Sequence, residues 1–158
     1  KQMSIDSDLN AGLIDEAIAS PEGKNESFLE AILKPHTCYY QAFKGLFGNA
    51  GLHGIAHITG GGIAGNLNRI LPAAVDAVVD AGEIRVLPLF KRIRERGNVP
   101  EGDMLKTFNC RVGMTLVCAP AAVEGVIGHL RGLGMGAYPI GRIVEGNATV
   151  RYEGHVRW

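Results

Sequence analysis

Apolar residues recur in two alternating patterns along the chain. Compact runs of apolar and β-branched residues at 52–58, 74–80 and 112–118 predict three strands. Between and after these runs, apolar residues recur at helical spacing and predict helices, which in chain order cover residues 28–33, 39–46, 63–71, 87–96 and 121–133. Strands that alternate with helices in this way indicate an α/β fold.

The two ends of the chain follow other patterns. A helix is predicted at 9–19, and a loop of polar residues, proline and glycine follows at 20–25. Near the other end, residues 138–144 and 149–153 alternate between apolar and polar side chains around Gly146-Asn147, a pair that favours a tight turn. We therefore predict an α/β fold of the α+β type, a two-layer sandwich in which helices pack on a mixed β-sheet and a C-terminal hairpin closes the chain.

Composition and charge narrow the class of protein. The chain has 158 residues, of which 46% are hydrophobic and 20% charged, values typical of one globular domain. No apolar run approaches the roughly 18 residues that a membrane span requires, so no membrane segment is predicted. The 16 basic residues balance the 16 acidic ones, and nothing indicates a nucleic-acid or anionic-membrane partner. We expect a cytoplasmic protein.

The spacing of cysteine and histidine argues against a disulfide framework and against a metal site. Cys38, Cys110 and Cys118 show no CxxC spacing and are expected to be reduced thiols. Cys110, beside Arg111, is interpreted as a buried, inert thiol rather than a nucleophile. The histidines show no ligand spacing with Asp, Glu or Cys, so no metal ligands are predicted.

Glycine is unusually frequent, with 22 residues in 158, about twice the usual ~7%. Three consecutive glycines, Gly60, Gly61 and Gly62, follow the first predicted strand and precede a helical pattern. Such a loop lets backbone N–H groups approach a phosphate, and Thr59 can cap the helix or bond the same anion. The spacing is neither the dinucleotide fingerprint nor a P-loop. A tight turn without a ligand is the alternative.

Two further polar residues are suited to a site. His57 lies two residues before Thr59, where it either acts on a substrate as an acid or base or is a hydrogen-bonded histidine at the end of a sheet. Asn109 lies just before the third predicted strand, where its amide either fixes a turn or contacts a ligand. The residues alone leave both alternatives open.

Two groups of residues together resemble the C-terminal domain of the aminoimidazole ribonucleotide synthetases, also called phosphoribosylformylglycinamidine cyclo-ligases. The first group is His57-Ile58-Thr59-Gly60-Gly61-Gly62, followed by Asn66, Arg69 and Leu71-Pro72. The second group is Gly97-Asn98-Val99, Met104 and Thr107-Phe108-Asn109, followed by Gly113-Met114. A weaker match covers residues 33–40. The two groups are specific in combination, whereas either one alone is not.

The resemblance implies an activity and its partners. The family uses ATP and Mg²⁺ to close the imidazole ring of formylglycinamidine ribonucleotide in purine biosynthesis, and it forms homodimers. By this analogy the glycine loop holds an anionic part of the substrate, most simply its ribose phosphate. The residues that the resemblance implies in substrate or phosphate binding are Thr59, Gly60, Gly61, Gly62, Asn66 and Asn109. His57 is implied as a neighbour in the pocket and is a tentative catalytic residue.

The sequence also departs from the family's pattern. The ATP-binding N-terminal domain has no counterpart, and neither does the Ser-Gly-x-His-Ser-Asn-Gly-Tyr-type segment that opens the family's C-terminal domain. Cys38 stands where the family has a cation, and Arg111 stands where it has glycine. We therefore divide the chain into a weakly matched helical and loop segment at 1–34 and a synthetase C-terminal-like domain at 35–158. ATP and Mg²⁺ are expected to bind mainly to the absent domain.

These departures lead to competing hypotheses. In the first, the chain is the substrate-binding half of a cyclo-ligase, is inactive alone, and works with a separate or upstream ATP-binding domain. In the second, it is a non-catalytic binding or assembly module that kept the fold. A third, another ATP-dependent relative such as selenophosphate synthetase or thiamine-phosphate kinase, is disfavoured by Gly97-Asn98-Val99 and by the motif around Phe108.

Overall fold

The computed structural model describes residues 15–20 and 23–158. These residues form two compact units. The first unit contains the described residues up to Thr37 together with Leu87–Val99, and the second contains Cys38–Val86 and Pro100–Trp158. Among the described helices, none is long and apolar enough to cross a membrane.

The described residues form strands, α-helices and short 3₁₀ helices. The strands are β1 (Ala17–Ala19), β2 (Asn25–Ser27), β3 (Leu52–His57), β4 (Val75–Asp80), β5 (Met114–Cys118), β6 (Gly141–Glu145) and β7 (Val150–Glu153). The α-helices are α1 (Phe28–Leu33), α2 (Tyr40–Phe43), α3 (Gly62–Leu67), α4 (Pro88–Gly97), α5 (Glu101–Thr107) and α6 (Val123–Gly132). The 3₁₀ helices are Lys44–Leu46, Asn68–Ile70, Ala81–Glu83 and Pro120–Ala122. The three predicted strands and five predicted helices of the chain's middle part are confirmed.

In the first unit, β1 and β2 pair antiparallel, with Ile18 opposite Glu26. Ile18 is buried, whereas Ala17 and Ala19 are exposed, so these side chains alternate with the period of a strand. The helix predicted at 9–19 is therefore wrong for all its described residues, because Asp15 and Glu16 are not helical either. The part of that prediction before residue 15 lies outside the described residues.

The helix α1 begins at a capping box. The Ser27 hydroxyl accepts a hydrogen bond of 3.2 Å from the backbone N–H of Glu30. In return, the Glu30 carboxylate accepts one of 2.8 Å from the backbone N–H of Ser27. These bonds satisfy N–H groups that have no partner inside the helix, which explains why the helix begins here.

Two arginines of α4 contribute to the packing of the first unit. Arg92 and Arg96 both pair with the carboxylate of Glu16, at 2.7 and 2.8 Å. Their spacing of four residues places them on one face of the helix, and the Glu16 side chain keeps only 18% of its surface exposed. The arginine-rich face of α4 therefore has an acidic partner within its own unit.

In the second unit, β3 and β5 pair antiparallel, with Ile55 opposite Leu116. One face of this pair packs against a cluster from α2 and α6 that includes the buried Phe43 and Leu130. On the other face, a Cβ added to Gly54 would lie 2.9 Å from the Ile70 side chain. Because both faces of the pair are covered, the position of the C-terminal end of β3 is fixed.

The strand β4 lies between β6 and β7, antiparallel to the first and parallel to the second. Ala77, Val78 and Val79 are at most 3% exposed, which agrees with a strand that is covered on both faces. The described residues combine helices with small sheets, one of which is mixed. This confirms the predicted α/β class and the mixed sheet. The two-layer arrangement stays a prediction.

The predicted C-terminal hairpin is wrong, because β4 separates β6 from β7. The Asp76 carboxylate accepts hydrogen bonds of 2.8 Å from the backbone N–H groups of both Asn147 and Thr149. Gly146 packs against the same carboxylate, where a Cβ would overlap its atoms. Residues 146–149 therefore cross the N-terminal end of β4 and place β7 on its far side. The alternation in the sequence identifies both strands but not their partners.

Candidate functional site

The residue after β3 connects the two groups of residues that the sequence singles out. Ile58 is fully buried, and its N–H donates to the Gly113 carbonyl at 2.9 Å. Its own carbonyl accepts a hydrogen bond of 3.4 Å from Nδ2 of Asn109, 51 positions further along the chain. The loop Thr59–Gly62, called the glycine loop below, therefore begins beside the turn at 109–113.

The three glycines of the loop meet different demands. Gly61 and Gly62 have φ angles of 99° and 62°, in the left-handed region where a Cβ is unfavourable. Gly62 also packs against the carbonyl of Leu105, where a Cβ would overlap it. Gly60 is exposed and has open space at the position of a Cβ. The backbone therefore requires glycine at 61 and 62, whereas Gly60 leaves the outer side of the loop open.

Asn66 holds the glycine loop from the inside. Asn66 is 5% exposed, and its Nδ2 donates to the carbonyls of Gly62 at 2.8 Å and Gly60 at 3.2 Å. A third, longer contact of 3.4 Å reaches the carbonyl of Thr59. Asn66 thus lies at the predicted site, and its amide nitrogen is directed at the loop's own carbonyls.

The outer side of the loop presents hydrogen-bond donors. Thr59 and Gly60 are exposed. The helix α3 begins at Gly62, and its N-cap residue Gly61 has no side-chain cap, so the predicted capping by Thr59 is absent. Among the hydrogen bonds between described residues, none is donated by the backbone N–H of Thr59, Gly60 or Gly61. Donors without an internal acceptor are satisfied by solvent or by a ligand, and adjacent backbone donors suit an anion.

Asn109 organises the turn that faces the loop. Besides the bond from its Nδ2 to Ile58, its Oδ1 accepts a hydrogen bond of 3.1 Å from the backbone N–H of Arg111. Cys110 and Arg111 have φ angles of 50° and 98°, which side chains with a Cβ rarely adopt. Cys110 is buried, as predicted, and burial raises the pKa of its thiol to about 11, which disfavours the reactive thiolate. Arg111 itself is exposed.

His57 and Tyr39 form an aromatic pair beside the same turn. The His57 ring is exposed and lies edge-on to the Tyr39 ring, with 6.0 Å between the ring centroids. The Tyr39 hydroxyl packs against Gly113, where a Cβ would overlap it. Gly113 is thus the position at which β5, the Tyr39 ring and the chain after β3 come together.

Most other histidines have contacts away from the loop. Nε2 of His129 lies 2.9 Å from the Ala42 carbonyl, and His155 pairs with Glu101 at 3.4 Å. Among residues 15–20 and 23–158, no three side chains of His, Cys, Asp or Glu come together as metal ligands.

Two neighbours of the site were not identified from the sequence. Leu105 contributes only its backbone carbonyl, for which a sequence contains no signal. Tyr39 belongs to the weaker motif at 33–40, but nothing in that motif indicates a partner in β3. The adjacency of Gly62 and Gly113 to these residues is visible only after folding.

Comparisons with known proteins identify relatives of this chain. A family model described as "AIR synthase related protein, C-terminal domain" matches residues 12–153. The phosphoribosylformylglycinamidine cyclo-ligase of Geotalea daltonii is 40% identical over 126 residues, which are 80% of this chain and 36% of that protein. The protein of the same name from Brevibacillus brevis is 38% identical over 129 residues, which are 82% of this chain and 37% of that protein.

A third relative has a broader name. The bifunctional purine biosynthetic protein purD of Dictyostelium discoideum is 34% identical over 140 residues, which are 89% of this chain and 17% of that protein. The chain thus spans little more than a third of the two cyclo-ligases and a smaller part of the bifunctional protein. From the family match and these identities together, the chain belongs to the AIR synthase related proteins and corresponds to their C-terminal domain.

Proposed function

We propose that this chain is the substrate-binding half of an ATP-dependent cyclo-ligase that closes the imidazole ring of formylglycinamidine ribonucleotide. One observation carries the proposal. The two groups of residues that resemble the family meet at Ile58, through Asn109 on one side and Gly113 on the other. Two relatives that match the chain over most of its length bear the cyclo-ligase name, and a third is named a bifunctional purine biosynthetic protein.

The proposed reaction makes an amide oxygen into a leaving group. The formyl amide oxygen of the substrate attacks the terminal phosphorus of ATP, and ADP leaves. The amidine nitrogen then attacks the activated formyl carbon, and the carbon–oxygen bond breaks as inorganic phosphate departs. The protein must hold the nitrogen and the carbon in contact and stabilise the transferring phosphoryl group.

The glycine loop would serve the first of these requirements by binding the ribose phosphate. Its outer donors are the backbone N–H groups of Thr59, Gly60 and Gly61 and the exposed Thr59 hydroxyl. Asn66 and Asn109 direct their amide nitrogens at loop carbonyls, so we assign them the positioning of the loop. His57, at the end of β3, would face the substrate beyond the phosphate and is a candidate for proton transfer.

ATP and Mg²⁺ are assigned to a different part of the functional enzyme. The described residues contain no group of three metal-ligating side chains, and we give these described side chains no metal-binding role in the reaction. ATP would therefore be bound by a separate chain or by a segment outside this sequence. ADP production by this chain alone, from ATP, Mg²⁺ and substrate, would contradict that assignment. The homodimer expected from the family remains a proposal, to be measured by analytical ultracentrifugation.

Isothermal titration of the chain with formylglycinamidine ribonucleotide tests the substrate-binding role. Gly61→Asp adds a negative charge where the phosphate would lie, whereas Gly61→Asn adds a neutral side chain of the same shape and imposes the same backbone strain at a φ of 99°. We expect binding by the wild type, loss in Gly61→Asp and retention in Gly61→Asn. The corresponding nucleoside, which lacks the phosphate, should bind more weakly to the wild type.

A non-catalytic binding or assembly module that kept the fold is the second candidate. The observation that favours it is the strained, exposed Arg111 in the turn that faces the loop, at a position where the family pattern has glycine. Absence of binding of both the ribonucleotide and ribose 5-phosphate by the folded wild type would decide for this module. Equal binding to wild type and Gly61→Asp would show that the phosphate lies elsewhere.

A further inference from the structure

We infer that Arg111 is a specificity-determining residue of this site, and that its guanidinium pairs with the phosphate of the ligand on the glycine loop. The inference rests on the proposed function and deepens it, because it names the side chain that supplies the positive charge. The ligand class is a phosphate monoester carried on a sugar.

The first support is position. Asn109, two residues before Arg111, donates to the carbonyl of Ile58, which directly precedes the loop. Gly113, two residues after Arg111, accepts the Ile58 N–H at 2.9 Å. Arg111 is therefore at the apex of a turn whose two sides are both bonded to the residue that directly precedes the loop. An arginine side chain is long enough to reach a ligand on a neighbouring loop from such a position.

The second support is the absence of another electrostatic partner. Some exposed arginines of the described chain pair with carboxylates, such as Arg142 with Glu153 and Arg151 with Asp76. For Arg111, the described residues provide no hydrogen bond or ion pair to the guanidinium, and its only bonds are made by its backbone. A solvated arginine that is not engaged in the fold is available to a ligand.

The third support is the charge of the surroundings. The segments 57–62 and 108–113, which form the site, contain no Asp or Glu. Apart from the titratable His57, Arg111 is their one ionisable group that is positive at neutral pH. Uncharged donors with a nearby guanidinium form a site that favours an anion and disfavours a cation.

The fourth support is that the turn maintains an unfavourable conformation at this residue. A φ of 98° suits glycine and is costly for arginine. The hydrogen bonds from the Arg111 N–H to Asn109 Oδ1 and from the Val112 N–H to the Asn109 carbonyl, of 3.1 and 2.8 Å, hold the turn in that conformation. A side chain that is retained against backbone strain beside a site is a candidate for function.

Titration of the full chain with ribose 5-phosphate and with formylglycinamidine ribonucleotide tests the inference. Arg111→Gly removes the charge and relieves the strain, so a folding failure is not expected to obscure the result. We expect it to weaken the binding of both phosphate ligands about tenfold or more, with no change in the affinity for the nucleoside that lacks phosphate. Arg111→Lys keeps the charge but loses the planar guanidinium, so its affinity for the phosphate ligands should lie between those of the wild type and Arg111→Gly.

Lys106→Gln provides the matched control, since Lys106 is an exposed cation in the last turn of α5. It should change the affinity less than about twofold, because a solvent-exposed charge outside the turn at 109–113 is screened by salt. If Arg111→Gly binds like the wild type while Gly61→Asp does not bind, the role of Arg111 is overturned and the proposed function stands. If the wild type binds neither phosphate ligand, both are overturned.

Discussion

Asn66 donates a hydrogen bond of 2.8 Å from its side-chain nitrogen to the carbonyl of Gly62, four residues before it. The same nitrogen lies 3.2 Å from the carbonyl of Gly60. A buried amide thus draws two loop carbonyls inward, and the loop's donors at Thr59 and Gly60 remain outside. The orientation of the glycine loop is consequently decided by a residue of the helix that follows it.

Asn66→Asp should destabilise the fold without a change in side-chain volume. It replaces the donor nitrogen with a carboxylate oxygen that faces two carbonyls in a buried position, and we expect a loss of about 3 kcal/mol in the free energy of unfolding. Urea denaturation measures the change. Asn68→Asp, at an exposed residue of the following turn, is the control and should stay within about 0.5 kcal/mol. Equal stabilities for the two variants would contradict the role of Asn66.

Gly62→Ala should reduce the stability much more than Gly60→Ala. The methyl group at Gly62 would overlap the Leu105 carbonyl at a φ of 62°, so we expect a loss of about 2–4 kcal/mol. At Gly60 the methyl group enters open space, and the stability should change by less than about 1 kcal/mol. Thermal unfolding of both variants in parallel distinguishes the positions. A tolerated Gly62→Ala would mean that the loop is not fixed against α5.

Arg111→Gly should stabilise the chain by about 1 kcal/mol, because glycine adopts a φ of 98° without a steric penalty. Arg111→Ala is the matched control: it also removes the charge but keeps the Cβ, and it should remain as strained as the wild type. Chemical denaturation gives the free energy of unfolding of each variant, and the difference between the two values isolates the backbone contribution. An Arg111→Gly protein no more stable than Arg111→Ala would show that this backbone strain is absent.

Asp76→Asn should reduce stability in a pH-dependent manner. The backbone N–H groups of Asn147 and Thr149, assisted by Arg151, hold the pKa of the Asp76 carboxyl below its ordinary value of 3.8. The ionised form is therefore favoured in the folded state, and its contribution is fully present above pH 3.8 and is lost as the pH falls through the lowered folded pKa. Unfolding curves of wild type and variant should differ at pH 7 and converge in strong acid.

The control for Asp76 is Glu124→Gln, at an exposed carboxylate in the first turn of α6. Its stability relative to the wild type should vary little between pH 7 and strong acid. A gap between wild type and Asp76→Asn that stays constant across this range would refute the proposed bonds between the Asp76 carboxylate and residues 147–149.

The three cysteines should differ in their reaction with a thiol reagent. Cys38 is exposed, whereas Cys110 is buried with its pKa raised to about 11 and Cys118 is partly buried with a raised pKa. Since the thiolate is the reactive form, native protein at pH 7.5 should be modified first at Cys38 and at least about 100-fold more slowly at Cys110. Mass spectrometry of timed samples gives the order. In denaturant the three rates should converge, and early labelling of Cys110 in native protein would contradict its burial.

The sequence by itself determined the local elements of the second unit and the family. The β-branched run at 112–118, the glycines after β3 and Pro120 before α6 restrict the backbone of their own residues, so each element could be predicted from its immediate sequence. The motifs around Thr59 and Asn109 were sufficient to identify the family because each motif consists of residues that are neighbours in the sequence. The helix predicted at 9–19 failed at Ala17–Ala19, where pairing with β2 outweighed a weak helical pattern.

Only the tertiary structure decided which elements pair and which side chains meet. The alternation in 138–153 is compatible with a hairpin, but the bonds from Asn147 and Thr149 to Asp76 direct β7 to the far side of β4. Likewise, the contact of Asn109 with Ile58 joins residues 51 positions apart. Strand partners and site geometry depend on hydrogen bonds between distant residues, which a local pattern does not specify, whereas backbone preferences are local and can therefore be read from the sequence.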